Sequence, residues 1–130
     1  MKLTLAIDTP PQGRPRFTRT GIAYDPPKSR KFKAQLAQLI LSQDLPPQPL
    51  SGNIRVRVEI YRNFNSPTVP RFGDIDNLAK IILDAINDTG AVWLDDRLIT
   101  KLEVLKATAP EPHVDIWIDS LSKEAYQHVD

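Results

Sequence analysis

Polar and apolar residues alternate most strictly between residues 53 and 61. Ile54, Val56, Val58 and Ile60 fall on one side, and Arg55, Arg57, Glu59 and Tyr61 on the other. A period of two predicts a half-buried strand. Leu3, Leu5 and Ile7 alternate in the same way and predict a first strand over residues 2 to 8. The period then turns helical. Phe32, Leu36, Leu39 and Ile40 stand at i, i+4, i+7 and i+8, a single apolar stripe over residues 28 to 43, stopped by Pro46, Pro47 and Pro49. A second helix is predicted over residues 74 to 88. Its apolar face is Ile75, Leu78, Ile81, Ile82, Ala85 and Ile86, and Gly90 stands where a C-terminal cap belongs. Two more strands are predicted over residues 97 to 107 and 113 to 119, joined by the turn Ala109-Pro110-Glu111-Pro112.

The connections are equally legible. Thr9 to Pro27 is rich in Pro, Arg and Gly, and inside it Arg16-Phe17-Thr18 can pair with Ile22-Ala23-Tyr24 across Arg19-Thr20-Gly21. A polar loop with Pro67 and Pro70 covers residues 63 to 73, and Trp93 and Leu94 anchor a short link. The order strand, hairpin, helix, strand, helix, strand, strand predicts an α+β fold. It is a single domain with a mixed sheet and two main helices packed mainly on one face. The domain is expected over residues 1 to 120, with a polar tail over 121 to 130.

Composition agrees with a globular domain: of 130 residues, 41% are hydrophobic and 25% charged. The absence of cysteine excludes disulfides and thiolate metal sites, and suits a reducing cytoplasm. No apolar run is long enough to span a bilayer, so no membrane association is expected. The N-terminal apolar stretch is too short for a signal peptide.

Charge changes the picture. The formal net charge is only +1, but residues 1 to 71 hold 12 Lys and Arg against 4 Asp and Glu, and residues 72 to 130 hold 5 against 12. Such asymmetry implies a basic binding surface beside an acidic site, unless both are ordinary solvated faces.

The acidic half contains Gly73-Asp74-Ile75-Asp76-Asn77-Leu78-Ala79-Lys80. One reading is an acidic helix start, since Asp caps N-termini well and the helix dipole favours carboxylates there. The other is a cation site. Residues two apart do not share a helix face but do share one in extended backbone. Asp74 and Asp76 can therefore bind one ion only if Asp74 precedes the first helical turn. Asp76 and Lys80, four apart, share a helix face, as a surface ion pair or as a carboxylate beside a phosphate-facing ammonium. Trp93-Leu94-Asp95-Asp96 supplies a second acidic corner, or a turn furnished with Asp. Two carboxylates about 4 Å apart repel by about 4 kcal/mol at an effective dielectric near 20, a cost that a divalent cation removes. Oxygen ligands without Cys point to Mg²⁺ or Mn²⁺.

Asp-x-Asp-Asn-Leu-x-Lys at 74 to 80, then Asp84-Ala85, then Trp93-Leu94-Asp95-Asp96, resembles the signature of RusA-type Holliday-junction resolvases. Gly13-Arg14-Pro15-Arg16-Phe17, Gly21-Ile22-Ala23-Tyr24 and Pro26 are similar to the N-terminal part of that family, and the resemblance spans residues 3 to 119. It implies a homodimeric, phage- or prophage-associated, nucleoid-associated endodeoxyribonuclease that binds four-way junction DNA and makes paired symmetric nicks for recombination and repair. It further implies Mg²⁺, with Mn²⁺ as substitute, at Asp74, Asp76 and Asp96, with Asp95 as a further metal candidate and Lys80 as the catalytic lysine. Some relatives carry a basic run before the first catalytic Asp, whereas here that place holds Arg71-Phe72-Gly73.

DNA contact is expected from Arg14, Arg16, Arg19, Lys28, Arg30, Lys31 and Lys33, with Arg71 and Phe72 beside the cut. Between Arg14 and Lys33 only Asp25 opposes this charge. Phe17 or Phe72 could stack on a junction base, or simply pack. His113 and His128 have no metal-like spacing. A catalytically inactive module that binds branched DNA, or a metal-dependent nuclease acting on other branched DNA, remains the alternative.

Overall fold

The computed structural model describes residues 1–9, 16–17, 21, 23–24, 27–63 and 75–121. In chain order the elements are β1 (Lys2–Leu5), β2 (Arg16–Phe17), β3 (Ala23–Tyr24), α1 (Pro27–Leu41), β4 (Ile54–Arg62), α2 (Ile75–Thr89), a 3₁₀ turn (Asp96–Leu98), β5 (Ile99–Thr108) and β6 (His113–Ser120). β1, β6, β4 and β5 form one sheet in that spatial order. β1 and β4 run antiparallel to β6, and β5 runs parallel to β4. The fold is α+β with a mixed sheet, as the pattern predicts. No helix among the described residues is long and apolar enough to cross a membrane.

β4 is the centre of the design. Ile54, Val56, Val58 and Ile60 are fully buried, and the intervening Arg55 and Arg57 are exposed. From β6, Val114, Ile116 and Ile118 join the same buried face, as do Leu3 and Leu5 from β1. Both helices cover that face. α1 contributes Phe32, Leu36 and Ile40, and α2 contributes Leu78, Ile81, Ile82, Ala85 and Ile86. Burying each of these Leu, Ile, Val or Phe side chains stabilises the fold by about 1.5–3 kcal/mol relative to exposure. The opposite face of the sheet is charged and self-neutralising: Arg55 pairs with Asp119 at 3.2 Å and Arg57 with Glu59 at 3.3 Å.

Parallel strands need a crossover, and α2 is the one between β4 and β5. The next link, residues 109 to 112, does not fold β5 and β6 onto each other. It steps across the end of β4, which lies between them. Ala109 N–H donates to Arg62 O at 2.9 Å, carrying the β4–β5 ladder into the link.

Element boundaries shift where local hydrogen bonds compete. β1 stops at Leu5 because Ile7 N–H turns back onto Leu5 O at 3.0 Å. Pro27 opens α1, a position where its missing N–H costs nothing. β5 begins at Ile99 rather than 97 because Asp95 caps a 3₁₀ turn first. β2 and β3 pair Arg16 with Tyr24 and Phe17 with Ala23, and Gly21 takes a φ of 83°.

Candidate active site

α2 positions most of the polar chemistry. Asp76, Lys80 and Asp84 stand at i, i+4 and i+8, and therefore share one helical stripe. Asp76 lies in the first turn, where the helix dipole favours a carboxylate. The helix begins at Ile75, between Asp74 and Asp76. That is the start the shared-ion reading requires, and Asp74 itself lies outside the described residues. The stripe borders a groove of about 410 Å³ lined by Ile75, Asp76, Ala79, Lys80, Leu83, Asp84, Asp96, Leu102 and Val104. Asp76, Lys80 and Asp96, separated by up to twenty residues of chain, thus meet at one groove. Leu83, Leu102 and Val104 give it apolar walls.

Asp96 arrives on a fastened corner. α2 ends at Thr89, whose hydroxyl donates to Ile86 O at 2.7 Å and accepts from Ala91 N–H at 3.2 Å. Gly90, with φ 62°, turns the chain out of the helix. Leu50 then brackets the link: its N–H donates to Val92 O at 2.9 Å, and its carbonyl accepts from Leu94 N–H at 3.0 Å. Trp93 is fully buried, the anchor its position implies, whereas Leu94, expected to anchor the link with it, is 65% exposed.

The paired carboxylates Asp95 and Asp96 part company. Asp95 turns to Arg97, accepting from its backbone N–H at 2.9 Å and from Nε and Nη2 at 3.2 and 3.0 Å. The Arg97 side chain foremost, then its backbone N–H, holds the Asp95 carboxyl down at about 2. Asp96 moves the other way. Partial desolvation raises its pKa although the residue is exposed, and the hydrogen bond with Asp95 and the charges of Asp95 and Asp84 add to the rise. Asp96 therefore holds its proton more tightly than an ordinary aspartate, and an added cation would relieve the crowding.

Among the described residues, no group of three His, Asp or Glu side chains stands close enough to hold a metal ion. The acidic side chains that line the groove nonetheless offer carboxylate oxygens, and no histidine lines it. Mg²⁺ is commonly held through one or two carboxylates with several waters retained. The donor set fits a hard divalent cation of that kind.

The basic residues divide. Arg30 and Lys31 are exposed on α1. Lys33 is largely buried and pairs with Asp84 at 3.8 Å, at the groove. Arg14, Arg19, Arg71 and Phe72 lie outside the described residues, as do the side chains of Arg16, Phe17 and Lys28. His113 stacks on Tyr61 with ring centroids 4.2 Å apart, and neither lines the groove. His128 is outside the described residues, as is the expected tail beyond residue 121. Asp84 received no role from sequence reasoning, although its spacing from Asp76 and Lys80 places it on the same stripe.

The model of the endodeoxyribonuclease RusA family matches residues 8–119. Over 143 aligned positions the chain is 32% identical to the uncharacterized protein YqaN of Bacillus subtilis (strain 168), covering 94% of this chain and 97% of that one. Matched across most of its length, the chain belongs to the RusA family of endodeoxyribonucleases, hydrolases of the DNA backbone.

Proposed function

We propose that this chain is a divalent-metal-dependent endonuclease that resolves four-way DNA junctions by paired symmetric nicks, acting as a homodimer. The observation that carries this reading is the convergence of Asp76, Lys80 and Asp96 on one groove in a chain of an endodeoxyribonuclease family.

Asp74, Asp76 and Asp96 would hold Mg²⁺, with Mn²⁺ able to substitute. A bound divalent ion supplies a water of lowered pKa and charge neutralisation at the phosphate. Asp95, engaged by Arg97, would serve by shaping the corner more than by ligation. Lys80, one turn from Asp76, would set its ammonium against the phosphate or leaving oxygen, where negative charge develops. The apolar walls from Leu83, Leu102 and Val104 lower the local dielectric and strengthen these interactions.

Arg14, Arg16, Arg19, Lys28, Arg30 and Lys31 would hold backbone phosphates without reading sequence, and Arg71 and Phe72 would lie beside the cut. Two copies related by a two-fold axis would present two equivalent grooves to the two equivalent strands of a four-way junction.

Incubation with synthetic four-way, forked and linear DNA in Mg²⁺ tests the reading. Paired nicks in opposed strands of the four-way substrate, leaving 5′-phosphates, are expected. Preference for another branched substrate would reassign the nuclease. Binding without cleavage in either Mg²⁺ or Mn²⁺ would overturn the enzymatic reading.

A further inference from the structure

We infer that Asn87 is a positioning residue of the nuclease, its side-chain oxygen tying the corner that carries Asp96 to the helix that carries Asp76 and Lys80. The inference rests on the nuclease reading and deepens it. Asn87 Oδ1 accepts two hydrogen bonds, from Trp93 Nε1 at 3.1 Å and from the backbone N–H of Asp96 at 3.1 Å. A carboxamide oxygen has two acceptor sites, so both are used.

Its place on the helix matters. Asn87 is eleven residues beyond Asp76, close to three full turns, and so lies on the stripe of Asp76, Lys80 and Asp84, about 16 Å along the axis from Asp76. α2 therefore acts as a ruler. It bears Asp76 and Lys80 directly, and it bears Asp96 through Asn87. The Leu50 bracket holds residues 92 and 94, and Asp95 with Arg97 closes the turn on itself. Asn87 is what refers the Asp96 backbone to α2.

The residue type is informative. Asn is a mediocre helix former, and alanine would suit the helix better. Aspartate would accept the same two bonds but would add another negative charge beside Asp84 and Asp96. The neutral amide supplies the acceptor without the charge. Partners that orient metal-binding side chains in this way typically change metal affinity or activity about 10–100-fold when removed.

The test compares Asn87→Ala and Asn87→Asp with the unaltered protein. In Asn87→Ala the turnover at saturating junction should fall about 10–100-fold. The junction dissociation constant should stay within about twofold, because phosphate contacts elsewhere supply affinity. Mn²⁺ binding without DNA, followed by electron paramagnetic resonance, should weaken about tenfold or more. In amide hydrogen exchange, the Trp93 indole and the Asp96 amide should exchange faster, with the amides from Leu78 to Ile86 unchanged. Asn87→Asp should keep the slow exchange and recover part of the lost turnover.

Unaltered turnover in Asn87→Ala, unchanged exchange at Trp93 and Asp96, or equal damage in both variants would overturn the inference. So would a uniform rise in exchange along α2, which would mark a merely structural role. If the unaltered protein fails to cut junctions, the nuclease reading falls by itself. The exchange and Mn²⁺ measurements then still decide whether Asn87 sets the corner.

Discussion

Lys33 on α1 and Asp84 on α2 pair at 3.8 Å on the edge of the groove that gathers Asp76, Lys80 and Asp96. This ion pair separates one lysine from the rest of the basic segment. Arg30 and Lys31 project from the same helix with exposed side chains, whereas only 15% of the Lys33 side chain is exposed.

A difference in salt dependence follows. Removing one phosphate-binding cation makes the fall of log affinity with log salt shallower by about 1. Lys31→Ala should flatten the slope by about that amount. Lys33→Met should leave the slope nearly unchanged and act instead on turnover, through the altered charge around Asp84. Junction binding titrated across a series of NaCl concentrations checks both. An equally flattened slope in the two variants would place Lys33 on the DNA.

Asp95 and Asp96 should likewise part in function. Asp96→Asn is expected to abolish cleavage. Asp95→Asn keeps an oxygen that can accept from Arg97 N–H, so cleavage should fall by less than tenfold, about 1 kcal/mol in barrier. Single-turnover cleavage of a labelled junction measures both. The reverse ranking would move the metal to Asp95.

The sequence shows the strands and helices whose buried faces repeat cleanly. β4 and α2 are legible because Ile54 to Ile60 and Leu78 to Ile86 each keep one period against one core. β5 is legible as a strand over residues 97 to 107, but its facing is not, because it is an edge strand: Leu102 and Leu105 are 43% and 44% exposed, and no single face of it is fully buried. Alternation also carries no information on strand neighbours, so the insertion of β4 between β5 and β6 had no signature in residues 97 to 119. At the site, Asp76, Lys80 and Asp96 stand out by type and spacing. Asp84 and Asn87 hide, since an Asp or Asn on a helix reads as surface until the partner from residues 93 to 96, or from α1, is seen across from it.

The two acids of the corner also predict opposite pH behaviour. The Asp95 carboxyl is held at about 2, below the ordinary value of 3.8, so its stabilisation of the fold is present above that ordinary value and is lost as pH falls through about 2. Asp96 is raised, so its contribution is present below the ordinary value and is lost as pH rises through its own titration. A divalent cation on Asp96 favours the charged form and should lower its titration midpoint. Carboxyl carbon shifts, followed by NMR across pH with and without Mg²⁺, check this. An Asp96 midpoint at or below 3.8 without metal, or one that Mg²⁺ leaves unmoved, would contradict the assignment.

As proposed, the groove beside α2 is a metal-dependent cutting centre and is distinct from the surface that holds DNA. Asp76→Asn tests it most directly, with junction affinity measured by gel shift and strand scission measured in Mg²⁺ on the same preparation. The expected result is unchanged junction affinity with cleavage abolished. Normal cleavage by this variant would contradict the claim.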